Sequence, residues 1–190
     1  MKIYDCFMFF DEEMLLDLRL NIMNKYVDKF VITEATYMHS GRPKKLLFDI
    51  NKFSKFKDKI IYNVVDKDPP DIETIYEEDK DEKDTRGQKL VNNSNKREHF
   101  QREMAQESLK VLAEANPEDI ILISDVDEIP NLNEINFNKI NEKLIFFKQK
   151  MFFYKFNLLH EEINWIGSRA CKKKNLISPQ WLRDTKDKKY

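Results

Sequence analysis

Glycine and cysteine are both scarce in this chain of 190 residues, and each shortage excludes a kind of site. The three glycines, Gly41, Gly87 and Gly167, form no GxGxxG, P-loop or GxSxG motif, so a phosphate site built on a glycine-rich loop is excluded. The two cysteines, Cys6 and Cys171, lie far apart and match no metal-ligand spacing. We interpret them as reduced thiols in a packed interior.

Long apolar runs and an excess of one charge are absent as well. The 33 Lys and Arg residues nearly balance the 34 Asp and Glu residues, so the net charge of −1 gives no bias toward nucleic acid or acidic membranes. The apolar run from Cys6 to Phe10 stops at Asp11 and falls far short of the roughly 20 apolar residues that span a membrane. No signal peptide is visible, so a soluble chain is expected.

Length and composition favour one folded domain. A hydrophobic fraction of 41% and 14 Phe can form a single substantial core, so we assign residues 1–190 to one domain. Between 66 and 84 the chain carries ten acids and three lysines, and we predict a charged, mobile loop over 66–96. A basic tail is predicted over 183–190.

Strand and helix patterns alternate along the chain, and helical spacing is clearest in 11–26 and in 96–115. The predicted apolar stripe of the first helix is Met14, Leu15, Leu18, Ile22 and Met23. Strands are predicted at 3–10, 27–35, 59–65 and 119–124, with two more inside 143–159. This order is typical of an α/β domain with a largely parallel central sheet flanked by helices.

Acidic residues follow three of these strands. Asp11 ends the first strand, Glu34 ends the second, and Asp125 with Asp127 ends the fourth. Ligands of open parallel sheets bind at the carboxyl ends of the strands. The coincidence of acids at three such ends is the first indication of a functional site.

The most crowded of these ends is DIILISDVDEIPN, residues 119–131. In an extended backbone Asp125 and Asp127 point to the same face, and two such carboxylates repel unless one is protonated or a cation lies between them. Mg²⁺ or Mn²⁺ would relieve the repulsion and keep coordination positions for a substrate diphosphate. Two alternatives stay open: the acids of a surface turn, or a phosphoryl-transfer hydrolase with an Asp nucleophile, for which no convincing Lys and Ser or Thr set converges.

Several segments of the chain resemble one known family. They are YDCFMFFDEEMLLDLRLNIMNKYVDKFVITEA, HSGRPKKL, REHFQREM, ISDVDEIP after DIIL, FFYKFNLL and WIGSRA. In this order they resemble glycosyltransferase family 17, which contains the β-1,4-mannosyl-glycoprotein N-acetylglucosaminyltransferases, and the similarity covers most of the chain. The resemblance implies a GT-A fold and metal-dependent, inverting transfer of a sugar, N-acetylglucosamine, from a UDP-sugar donor to a glycan acceptor.

The resemblance also implies roles for the acidic motif. Asp127 would bind the metal, Mn²⁺ or Mg²⁺, directly. Asp125 would act on the metal through water, or on the ribose and sugar hydroxyls. Glu128 is either a further ligand or a residue that orients the loop.

Nucleotide contacts are implied near the first two strands and the second helix. Phe9, Phe10 and Asp11 lie where the GT-A pattern places nucleoside contacts, although core packing also explains the phenylalanines. Glu34 is a candidate for the uracil or ribose, with helix capping and surface exposure as alternatives. Arg102, in FQRE, matches a family position and suits bidentate contact with a diphosphate.

An inverting transfer needs a general base near the acceptor hydroxyl. Glu161 and Glu162, in NLLHEEINW, are the candidates, although surface or loop acids explain them equally well. Family members usually continue past Leu182 and Arg183, whereas this chain ends in DTKDKKY, so a truncated or non-catalytic nucleotide-sugar-binding relative is the alternative. The membrane anchor of a Golgi relative is not seen, which favours a bacterial or viral enzyme in the cytoplasm.

Overall fold

The computed structural model describes residues 1–80, 85–112, 114–155 and 157–186. Its strands are β1 (Ile3–Met8), β2 (Lys29–Ala35), β3 (Ile60–Val65), β4 (Ile120–Ile123), β5 (Leu144–Phe146), β6 (Gln149–Phe152), β7 (Leu159–Trp165) and β8 (Arg169–Lys172). Its α-helices are α1 (Glu13–Met23), α2 (Thr85–Glu103), α3 (Ala105–Glu107) and α4 (Pro179–Asp184). A π-helical turn covers Ser108–Leu112, and 3-10 turns cover Ser54–Lys59, Glu77–Lys80, Phe137–Lys139 and Lys173–Asn175.

Six strands form one mixed sheet in the order β3-β2-β1-β4-β8-β5. The strands β3, β2, β1 and β4 run parallel, and β8 is antiparallel to both of its neighbours. The predicted α/β class with a largely parallel central sheet and flanking helices is confirmed. Because β1, β2 and β4 run in one direction, their carboxyl ends lie at the same edge of the sheet.

Both faces of this sheet are buried, as is usual for parallel strands. One face packs against α1 and the other against α3, the π-helical turn and α4, and successive strand residues alternate between the two cores. Cys6 and Cys171 lie in the second core as free thiols, as predicted. Burial raises the pKa of the Cys171 thiol to about 12, which makes it a poor nucleophile at neutral pH.

The buried face of α1 differs from the predicted stripe. Met14, Leu18 and Ile22 are exposed, whereas Met23 is buried as predicted. The buried residues of this helix are Leu16, Arg19, Leu20 and Met23. Apolar residues occur on both sides of this helix, and the side that faces the sheet includes the charged residue Arg19. Arg19 can be buried because its ion-pair partner, Asp5, is buried beside it.

The second helix, α2, begins inside the predicted loop 66–96. It starts at Thr85 rather than near residue 96, and the segment around Glu73 lies along its side. The Asn93 side chain binds both backbone groups of Glu73 at 2.8 Å, which ties this segment to the helix. Residues 81–84 of the predicted loop lie outside the described residues.

The last helix, α4, carries two helix-start signals. The Ser178 side chain accepts a hydrogen bond from a backbone N–H of the first turn, and Pro179 follows it directly. Leu182 is fully buried, so α4 is anchored on the sheet and Arg183 is not part of a free tail. The rest of the predicted basic tail, 187–190, lies outside the described residues.

Two strands stand apart from the main sheet. Within the described part of the chain, β6 and β7 pair only with each other as an antiparallel hairpin, with an irregularity between Lys150 and Met151. The hairpin leads directly to β8, which returns beside β4. Among the described helices, none is long and apolar enough to cross a membrane.

Candidate active site

The acidic motif after β4, residues 125–128, forms a tight turn, which we call the acidic turn. The strand ends at Ile123, and the backbone N–H of Glu128 donates to the carbonyl oxygen of Asp125 at 3.1 Å. In return, the Glu128 carboxylate accepts a hydrogen bond from the backbone N–H of Asp125 at 2.9 Å. The extended backbone predicted for Asp125 and Asp127 is therefore wrong, because the strand has already ended when the first aspartate is reached.

Two arginines lie against this turn. Arg183 of α4 donates to Asp125 Oδ2 at 2.6 Å and to both carboxylate oxygens of Glu128 at 2.9 Å. Arg102 of α2 lies 3.1 Å from the other Asp125 oxygen. Guanidinium groups of the chain itself thus compensate the charges of Asp125 and Glu128, whereas the cation expected from the sequence would lie between Asp125 and Asp127.

A third arginine, Arg19, is fully buried and contacts the backbone of the turn. Its Nε and Nη2 atoms donate to the two carboxylate oxygens of Asp5 at 2.8 and 2.6 Å, and Asp5 is also fully buried on β1. The remaining nitrogen, Nη1, donates to the carbonyl oxygens of Asp125, Val126 and Glu128 at 3.0, 3.3 and 2.9 Å. One buried side chain therefore fixes α1, β1 and the backbone of the turn together.

Asp127 differs from its neighbours because it forms no ion pair within the part of the chain that the structure describes. Partial burial raises the pKa of its carboxyl group, and the nearby carboxylates of Glu128 and Asp125 raise this pKa further. An added positive charge would stabilise its ionised form. Asp127 is therefore the acid of this turn that is best placed to bind a cationic ligand.

A metal ion at this turn would depend on few protein ligands. Within residues 1–80, 85–112, 114–155 and 157–186, no group of three or more His, Cys, Asp or Glu side chains is arranged to hold one. Both oxygens of Asp125 are engaged by arginines, whereas those of Asp127 are not. Such a donor set fits a hard divalent ion that keeps water or substrate oxygens as its other ligands, with Asp127 as the main protein ligand.

Two cavities of about 250 Å³ each border the turn, and Asp125 and Asp127 line both of them. The first cavity, at the carboxyl end of β1, is also lined by Phe9, Phe10, Glu12, His39, Glu98 and Gln101. The second cavity, on the hairpin side, is also lined by Glu128, Gln149, Lys150, Met151, Phe152 and Trp165. The turn therefore separates two compartments that could hold two different molecules.

The model of one protein family, Glycosyltransferase family 17, matches residues 1–183. The chain belongs to glycosyltransferase family 17. No curated protein and no solved structure matches it. Membership confirms the resemblance and implies transfer of a glycosyl group from a donor to an acceptor. The match includes the turn after β4 and Arg183.

In this glycosyltransferase, two of the predicted nucleoside residues lie at the first cavity. Phe9 is almost fully buried and lines the cavity as part of the core, while Phe10 is 37% exposed. Asp11 is exposed and does not line the cavity. The lining acid is its neighbour Glu12, whose carboxylate accepts hydrogen bonds from the backbone N–H groups of Phe10 and Asp11 at 3.0 and 3.1 Å.

Glu34 has a structural role in this family 17 chain. It is fully buried and lines neither cavity. Its carboxylate accepts hydrogen bonds from Lys44 Nζ at 2.5 Å, from the backbone of Leu47 and Phe48 at 2.7 and 3.1 Å, and from Tyr62 at 2.8 Å. Burial and this contact raise the pKa of Tyr62. Glu34 thus fixes the segment after β2, and its contact with a nucleoside stays a prediction.

Arg102 is close to the acidic turn but turned toward protein partners. Its side chain is almost fully buried and donates to Gln180 at 2.5 Å and Glu98 at 2.9 Å, in addition to Asp125. It lines neither of the two cavities. The geometry makes it a residue that positions Asp125, and direct contact with a diphosphate stays a prediction.

The two glutamates predicted as general bases lie on β7. Glu161 and Glu162 are exposed, and neither lines either of the two cavities. Their assignment as the base stays a prediction. The structure instead brings Glu98 and His39 into the first cavity, where no pattern in the sequence had placed them.

Glu128 orients the turn, which is one of the two roles left open for it. Its Oε1 atom accepts a hydrogen bond from Trp165 Nε1 at 2.6 Å, besides the contacts with Arg183. Gly167 makes room for this arrangement: a Cβ atom there would lie 1.9 Å from Glu128 Oε1 and 2.3 Å from Trp165 Nε1. The glycine in WIGSRA was therefore a usable signal, since only glycine permits such a close approach.

Proposed function

We propose that this chain transfers N-acetylglucosamine from a UDP-sugar to a glycan acceptor, with inversion, in a fold of the GT-A type. The observation that carries the proposal is the position of the acidic turn. It follows β4 at the sheet edge where the parallel strands end, and Asp125 and Asp127 line the cavity on either side. Open α/β sheets bind nucleotides at this edge.

The donor nucleotide is assigned to the first cavity, at the carboxyl end of β1. The exposed ring of Phe10 offers an apolar surface for a nucleobase, and His39 and Gln101 also line this cavity. Cofactor sites of this kind combine apolar walls with a few placed polar groups. The acceptor is assigned to the second cavity, so that the transferred sugar would lie beside Asp127.

Mn²⁺ or Mg²⁺ is proposed at Asp127, with Asp125 acting through water because arginines hold its oxygens. When bound, the ion would neutralise charge on the leaving diphosphate. The chain's own residues supply the rigidity of the turn: Arg19 fixes its carbonyl oxygens, and Arg183 fixes the carboxylates on either side of Asp127. Such preorganisation is what electrostatic catalysis requires.

Turnover tests this proposal. The protein is incubated with Mn²⁺, UDP-N-acetylglucosamine and a panel of neutral oligosaccharides, and both UDP release and the elongated sugar are measured. We expect sugar transfer above the hydrolysis background, and a loss of about 100-fold in Asp127→Asn. Asp58→Asn is the matched control, since Asp58 is an exposed acid that precedes β3 at the opposite edge of the sheet.

Two outcomes would contradict the proposal in different ways. UDP-sugar binding without transfer to any acceptor would favour the non-catalytic, nucleotide-sugar-binding alternative. Equal turnover in Asp127→Asn and the wild type would show that the chemistry does not depend on this turn.

A further inference from the structure

The hairpin of β6 and β7 exposes several large apolar side chains to solvent. It pairs with no other strand of the described chain. Its exposed large side chains include Phe152, Phe153, Tyr154, Leu159, Ile163 and Trp165. Exposed apolar patches on folded proteins often mark interaction sites. The hairpin is therefore a candidate binding surface.

Part of this surface belongs to the second cavity. Phe152 is 42% exposed and Trp165 is 39% exposed, and both line the cavity together with Asp127. Both residues are thus partly exposed beside a cavity that also borders the acidic turn. This continuity favours an occupant that takes part in the reaction over one that binds elsewhere on the protein.

Trp165 is fixed in place before any ligand arrives. Its Nε1–H donates to Glu128 at 2.6 Å, and Glu128 is held in turn by Arg183. The polar end of the indole is therefore anchored in the turn, while part of the ring remains open to solvent. A preorganised aromatic surface binds with a smaller entropic cost than a mobile one.

The chemistry of the cavity selects the class of occupant. The residues that line it include apolar ones, Phe152, Met151 and Trp165, and polar ones, Gln149 and Lys150. A pyranose ring has one face of C–H groups and a rim of hydroxyls, so it can stack on an aromatic ring and bind polar groups at its edge. A purely apolar peptide or lipid would offer no polar group to Asp127, which forms no ion pair with the described residues.

We propose that Phe152 and Trp165 form the acceptor subsite and stack on a neutral pyranose of the glycan that receives the transferred sugar. This inference rests on the proposed function, because it requires the second cavity to be the acceptor side. It makes the hairpin a specificity element: a ring with an unobstructed C–H face binds, and one with a bulky axial substituent on that face is rejected.

Tryptophan fluorescence tests this subsite without a donor. The chain has two tryptophans, and Trp181→Phe leaves Trp165 as the single emitter. We expect cellobiose, N,N′-diacetylchitobiose, mannobiose or lactose to change this emission with a saturable dependence on concentration. In that background, Phe152→Ala should weaken the response about 10-fold or more. Tyr154→Ala is the matched control, because Tyr154 is a fully exposed aromatic of the same hairpin that does not line the cavity.

Kinetics and sedimentation complete the test. Phe152→Ala should raise the acceptor KM about 10-fold and leave the affinity for UDP unchanged, whereas failure of the proposed function would appear as no UDP binding in any variant. The subsite is overturned if none of the four disaccharides alters Trp165 emission, or if Tyr154→Ala and Phe152→Ala have equal effects. A dimer that Phe152→Ala dissociates would also overturn it, by showing that a second copy of the chain covers the hairpin.

Discussion

Arg19→Met is expected to lower the free energy of unfolding by about 3–5 kcal/mol, the range for removal of one partner of a buried ion pair. Methionine matches the length and shape of the side chain but leaves the Asp5 carboxylate buried without its counter-charge. It also leaves the carbonyl oxygens of the acidic turn without the donors that orient them. Unfolding in urea, followed by circular dichroism, measures the difference.

Two further variants keep this prediction testable if Arg19→Met does not fold. Arg19→Met with Asp5→Leu removes both charges, and we expect it to recover at least half of the lost stability, because an apolar pair can replace a buried ion pair. Arg42→Met is the matched control; Arg42 is exposed, so its loss should change stability by less than about 0.5 kcal/mol. An Arg19→Met protein as stable as Arg42→Met would show that the buried pair does not hold the turn.

Arg183→Ala is expected to cost about 2–5 kcal/mol of stability, since it truncates one partner of a largely buried, hydrogen-bonded charge network. The guanidinium group bridges Asp125, Glu128 and the carbonyl oxygen of Gly167. Without it, Glu128 would lose its ion pair, and Asp125 would keep, among the described residues, the ion pair with Arg102 alone. We also expect weaker UDP binding, because the turn that positions Asp127 would lose its connection to α4.

Arg183→Lys separates charge from geometry. A lysine ammonium keeps the positive charge but cannot bridge both carboxylates in the planar manner of a guanidinium group, so we expect partial recovery of stability and incomplete recovery of UDP affinity. Lys174→Ala is the control: it removes an exposed ion pair with Glu118 and should cost about 0–1 kcal/mol. Similar losses for Arg183→Ala and Lys174→Ala would contradict the role of Arg183.

Much of the fold could be predicted because the buried strands appear in the sequence as short apolar runs. The runs that became β1, β2, β3 and β4 were bounded correctly to within a few residues, and the parallel arrangement followed from the alternation of strands and helices. The location of the acidic motif at a strand end was also readable. It required only that a strongly apolar segment stop where carboxylates begin.

The counter-charges of the site could not be found in the same way. Asp5 lies inside an apolar strand and Arg19 on a helix that has apolar residues on both sides, so no pattern in the sequence pairs them. Their contact is tertiary, and it decides which side of α1 is buried. Arg183 lies 58 residues after Asp125 in sequence, and no local pattern connects the two. A lone charge inside an apolar run was the available signal for Asp5.

Helix α2 illustrates a different limit. Its first half is polar, and its buried residues are Asn93, Arg97, Gln101 and Arg102. Hydrophobic periodicity does not detect a helix whose buried side chains are polar and are held by hydrogen bonds and ion pairs. The predicted start near residue 96 therefore marked only the point at which apolar residues reappear.

Calorimetric titration with UDP tests the central claim, that the turn containing Asp127 is the donor-binding centre. The account predicts that UDP binds the wild-type protein when Mn²⁺ is present and not when the metal is chelated. It also predicts that Asp127→Asn lowers the affinity by about 100-fold or more, while Asp58→Asn binds like the wild type. UDP binding that is equally tight in the presence of chelator, or unchanged in Asp127→Asn, would contradict the account.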